Sequence, residues 1–143
     1  WYTQGRYRPL SLDHAVALVA RMVGLFQAHD IPVVRTGLQA SGCLDDPDQV
    51  LGGPWHPAFG HLVYSRVMLD QAIGAVEAAL DRTVETTGPP TMVLRVHPRW
   101  ESRLRGNRNQ NLQRLESAFP RISFRIQADP GLRPERVAAT LEA

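Results

Sequence analysis

The stretch MVLRVHPRWESRLRGNRNQNLQRLESAFPRISFRIQ, running from Met92 to Gln127, decides the fold. Met92-Val93-Leu94-Arg95-Val96-His97 reads as a strand, and Ile122, Phe124 and Ile126 alternate with Ser123, Arg125 and Gln127 as another. Between them, Arg99 to about Arg105 reads as a short helix, Gly106-Asn107-Arg108-Asn109 as a turn, and Gln110 to Phe119 as a longer helix with Leu112 and Leu115 inward. Strands separated by helices form layers, with apolar helix faces laid on a small sheet.

Working outward towards the N-terminus, Ser11 offers a side-chain oxygen to the free N–H groups of a helix start, and Asp13 suits its positive first turn. Leu12, Ala15, Val16, Val19, Val23 and Phe26 then recur every three or four residues, which predicts a helix over 12–29. Ile31 to Leu38 is rich in β-branched residues with Pro32 at its start, and predicts a strand. Residues 39–59 hold Gly42, Pro47, Gly52, Gly53, Pro54 and Pro57, a composition for a long functional or docking loop. A helix is expected over about 60–80, with Leu62, Val63, Val67, Ala72, Ile73, Val76 and Leu80 apolar, before Gly88-Pro89-Pro90 breaks the chain. The expectation is an α/β (α+β) fold: a sheet of about three strands packed by three to four helices. Residues 1–143 read as a single accessory domain, with a helix-strand-loop-helix part over 1–80 and the strand-helix-turn-helix-strand unit over 91–128.

Composition narrows the function. The chain has 143 residues, 43% of them hydrophobic, enough for one packed core. Its 16 basic residues are all arginine, against 14 acids. Residues 95–125 hold eight arginines but only Glu101 and Glu116, so this third of the chain carries +6 while the remainder carries −4. No apolar run is long enough to span a membrane. The one cysteine, Cys43, excludes an internal disulfide framework and an all-cysteine metal or iron–sulfur site, and fits a reducing, cytoplasmic setting. Trp1 to Pro9, aromatic and basic, reads as a connecting arm of a longer protein.

The order of elements over 92–127 is that of KH modules, which clamp a nucleic-acid backbone at a GxxG loop. Gly106-Asn107-Arg108-Asn109 occupies that slot, with Asn109, a residue tolerant of positive φ, in place of the second glycine. Arg99, Arg103, Arg105, Gly106, Arg108, Asn109 and Arg114 are the candidate RNA contacts, because arginines beside free helix N–H groups attract phosphate. The bland alternative is a solvated basic face. Gly52 to Gly60 packs Trp55, His56 and Phe59 among prolines and glycines; with Arg66 these are candidates for a docking or substrate-side surface. Cys43, His56 and His61 could formally hold zinc, but no CxxC accompanies them, and no metal site is expected. Asp45, Asp46 and Asp48 lack the glycine and closing glutamate of a calcium loop. Ser41 and Cys43 have no nucleophile elbow or adjacent base, and His14 and His97 read as structural, so no catalytic residue is assigned.

Four ordered segments carry a family resemblance: Trp1-Tyr2-x-x-Gly5-Arg6-Tyr7-x-Pro9-Leu10-Ser11-Leu12; Ile31-Pro32-Val33-Val34-Arg35-x-Gly37-Leu38-Gln39; Gly53 to Phe59 with Leu62-Val63-x-Ser65-Arg66; and Arg103-x-Arg105-Gly106-x-x-x-Gln110-Asn111-Leu112-x-x-Leu115. Together they resemble the C-terminal extension of bacterial radical SAM proteins related to the Elongator catalytic subunit. The resemblance implies a preceding partial β/α barrel that supplies a [4Fe–4S] cluster and S-adenosylmethionine, and a tRNA substrate. No cofactor is expected in this chain itself. The reading is a non-catalytic, substrate-positioning domain that contacts its own radical SAM barrel and RNA. A stand-alone RNA-binding module is the alternative, and a small metal-dependent hydrolase a weaker third.

Overall fold

The computed structural model describes residues 1–38, 44, 50–82 and 90–142. The chain divides into two compact units, Trp1–Tyr64 and Ser65–Ala143, and the division falls inside a helix.

In the first unit, helix α1 (Leu12–Ala28) starts where the Ser11 hydroxyl accepts the His14 N–H at 3.3 Å. It buries Ala15, Ala20 and Val23. Leu12, Val16, Val19 and Phe26 are half-buried, whereas Leu18, Met22 and Leu25 are exposed. Residues 31–38, expected to be a strand, are not one. They form no regular element, and the sheet among the described residues does not include them. Their β-branched composition favours a strand, yet strand structure needs a partner strand's N–H and C=O groups, and no strand of the described residues supplies them. The segment is instead held at its ends. The Ile31 N–H donates to the Phe26 carbonyl at 2.9 Å, and Gly37, at φ 83°, sits where any Cβ would stand 2.9 Å from the Phe59 ring. The long helix α2 (Phe59–Leu80) begins in this unit and continues into the next.

The second unit holds the rest of α2, then β1 (Thr91–Val96), α3 (Glu101–Arg105), α4 (Gln110–Ala118), β2 (Ser123–Ala128) and β3 (Val137–Glu142). The sheet order is β2-β1-β3, with β2 parallel and β3 antiparallel to β1. Register explains the core. Met92, Leu94 and Val96 share a face with Phe124, Ile126 and Ala128 on one side and with Leu141, Ala139 and Val137 on the other. The central strand buries all three, as well as Val93. On the opposite face, Arg125 of β2 and Glu142 of β3 meet across β1 at 2.6 Å, and Arg95 lies 3.5 Å from Asp129. The mixed three-stranded sheet with helices is the α+β fold expected. Its third strand, however, is 137–142 rather than 31–38.

Candidate functional site

The arginine-rich block lies entirely in the second unit, and the structure sorts it. Arg105 reaches back one turn to Glu101, with Nε and Nη2 at 3.0 and 2.9 Å from one carboxylate oxygen. Arg103 lays its guanidinium 4.3 Å from the centroid of the buried Trp100 ring, a cation–π contact that covers the indole. Arg95 and Arg125 are paired on the sheet face. Arg99, Arg108, Arg114 and Arg121 are exposed and, among the described residues, make no ion pair. The cationic surface open to a partner is therefore half of what composition suggested, and Arg121 is a member the sequence reading did not single out.

The turn from Gly106 to Asn109 has an unusual backbone. Gly106 (φ 70°), Arg108 (φ 50°) and Asn109 (φ 61°) all have positive φ, so Asn109 does adopt the conformation for which asparagine is suited. The space above Gly106 is already taken. A Cβ there would stand 2.9 Å from Cγ of Asn111, which is buried and donates from Nδ2 to the carbonyls of Ser65 (2.9 Å) and Arg103 (3.2 Å). The glycine is thus required by close approach of this amide, which ties the ends of α3 and α4 to α2. Asn111 was not a candidate; its place in the Gln110-Asn111-Leu112 motif was the signal. Arg108 lines a polar cleft of about 310 Å³ with Asn107, Gln110 and Gln113. Helix α4 begins behind Asn109 without a side-chain cap, which leaves its first-turn N–H groups beside that cleft.

The aromatic loop belongs to the first unit. The His56 imidazole Nδ1 accepts the Ala58 N–H at 3.0 Å, and the His56 carbonyl accepts the Phe59 N–H at 3.0 Å, so this residue shapes the start of α2. His97 repeats the device before Pro98, with Nδ1 accepting the Arg99 N–H at 3.3 Å. Both are His-Pro pairs, in which the ring stands in for the usual capping oxygen. Trp55, His56 and Phe59 do come together: they line an apolar cavity of about 510 Å³ with Leu38, Leu51 and Pro54. Trp55 Nε1 is buried and has no acceptor among the described residues. Arg66, in the second unit, is paired with Asp70 at 2.9 Å. Ser41, Cys43, Asp45, Asp46 and Asp48 lie outside the described residues.

The two units differ in their surfaces. The exposed large apolar side chains, from Trp1, Tyr2 and Tyr7 through Leu18, Met22 and Leu25 to Ile31, Val34, Leu38 and Leu51, all fall in the first; none falls in the described part of the second. Residues 1–68 match the model of the Radical_SAM C-terminal domain. No curated protein and no solved structure matches the chain. The family implies an iron–sulfur cluster and S-adenosylmethionine in the parent protein, but this chain's donors do not fit a cluster. It has one cysteine where several thiolates are needed, and no group of three metal-ligating side chains occurs among the described residues. No helix among the described residues is long and apolar enough to cross a membrane.

Proposed function

We propose that this chain is the substrate-positioning domain of a cytosolic radical SAM enzyme of the Elongator-related kind, and that it holds RNA, most simply tRNA, beside chemistry carried out by the preceding domain. The observation that carries the reading is the match over residues 1–68 on a unit whose apolar surface lacks a cover. The first unit docks through that surface, with the Trp55–Phe59 loop on the substrate side. The second unit offers Arg99, Arg108 and Arg114 to phosphates around the turn at Gly106. Support for RNA comes from those exposed arginines, from the +6 charge of residues 95–125, and from the uncapped start of α4. The strand-helix-turn-helix-strand order resembles that of a KH module, which supports a reading in which the turn at Gly106 grips the backbone.

Titration of labelled tRNA with the full-length protein at two salt concentrations tests this. Arg108→Ala and Arg114→Ala should each weaken binding about equally for unrelated RNA sequences and lower the salt slope by roughly 1, since phosphate contacts carry no sequence information. Iron content and S-adenosylmethionine cleavage should stay at the wild-type level in both variants. Salt-independent binding, or none at micromolar protein, would remove RNA from the reading.

A further inference from the structure

We infer that residues 31–36 become a β-strand in the intact protein, added in parallel to an edge of the radical SAM domain's sheet, with α1 as the crossover helix that covers it. This rests on the accessory-domain reading above. Ile31, Val33 and Val34 are β-branched, Pro32 stands at the start where its missing N–H costs little, and the segment is taken up by no helix or sheet of the described residues. Val34 is 97% exposed. Both ends are anchored, at Phe26 and at Phe59–Gly60, where Thr36 Oγ1 lies 2.8 Å from the position of a Gly60 Cβ. The segment is therefore tied at both ends and leaves Ile31 and Val34 exposed, with Val33 half-buried.

Two features select the partner. Val33 and Val34 are consecutive, so in a strand they point to opposite faces, and both faces are apolar; that is the pattern of a parallel sheet covered on both sides. A parallel strand needs a long crossover, usually a helix, and the 17-residue α1 precedes this one across only His29 and Asp30. Helix α1 also carries Leu18, Met22 and Leu25, spaced by four and three on one exposed side, in addition to its buried residues. A helix with two apolar faces suits the outer layer of such a sheet, where it touches both its strand and a neighbouring helix. A radical SAM domain in the same polypeptide presents its edge at high effective concentration, which favours it over a second copy.

Hydrogen exchange on the full-length protein with its cluster in place tests the proposal. The amides of residues 33–36 should exchange roughly a hundredfold or more slower than in an unfolded chain. Val34→Lys should remove that protection while β1 stays protected, and Val34→Ile should retain it. Exchange at unfolded-chain rates in the cluster-bearing protein would overturn the strand; if tRNA binding persisted there, the accessory role would stand and only the strand addition would fall. Protection lost on dilution to monomer would assign the pairing to a second copy and overturn the chosen partner.

Discussion

Gly106 and Asn111 show how one buried amide organises its neighbourhood. A helix end leaves carbonyls without partners, and at α3 the Arg103 carbonyl receives the second Asn111 N–H. Asn111→Ala removes the donor and should cost about 1–3 kcal/mol, the usual penalty for stranding buried polar groups. Gly106→Ala should cost a similar amount by another route: the methyl meets the Asn111 amide at 2.9 Å, and φ 70° disfavours any side chain. Urea unfolding of the single variants and the double variant checks both. The two costs should fail to add, because each mutation disrupts the same contact; strict additivity would show that the glycine is needed for its backbone alone. The sequence made Gly106 visible as a turn residue, but its packing partner, five positions on, was not readable, because burial of a polar amide depends on carbonyls brought in from Ser65 and Arg103.

Among the elements, legibility followed the strength of local periodicity. Helices α1, α2 and α4 fall within a residue or two of where apolar spacing placed them, as do β1 and β2. The two failures lie on the strand side, and they mirror each other. Val137-Ala138-Ala139-Thr140-Leu141-Glu142 has a weak strand composition, yet it forms β3 because the buried β1 needs a second partner. Residues 31–38 have a strong one and no strand beside them in the sheet of the described residues. Pairing, which is long-range, decided both. A chain truncated after Arg136 should therefore leave the buried strand β1 as a bare apolar edge and associate as concentration rises. Sedimentation at two concentrations reads this out, and a monomer with unchanged unfolding midpoint would mean that β3 is dispensable. By contrast, Glu142→Gln, which removes only the exposed pair with Arg125, should change stability by less than about 1 kcal/mol.

For the whole molecule, the charge asymmetry was legible from composition, whereas its partition was not, since ion pairs and the Trp100 stack quieten half of the arginines only once the chain is folded. Anaerobic reconstitution of residues 1–143 with iron and sulfide should leave far less than one iron per chain, because one thiolate cannot hold a cluster; stoichiometric iron and sulfide would refute an accessory role. The uneven surface has a further consequence, in time rather than in space. A domain whose family places it at the C-terminal end leaves the ribosome after the part that precedes it. At about 5–20 residues per second, its synthesis takes on the order of ten to thirty seconds. The exposed apolar side chains between Trp1 and Leu51 emerge in the first part of that interval, when, under the proposed function, an upstream domain has already folded and can cover them. Made by itself, the same surface meets only water and other copies, so the isolated domain should aggregate sooner after synthesis than the intact protein.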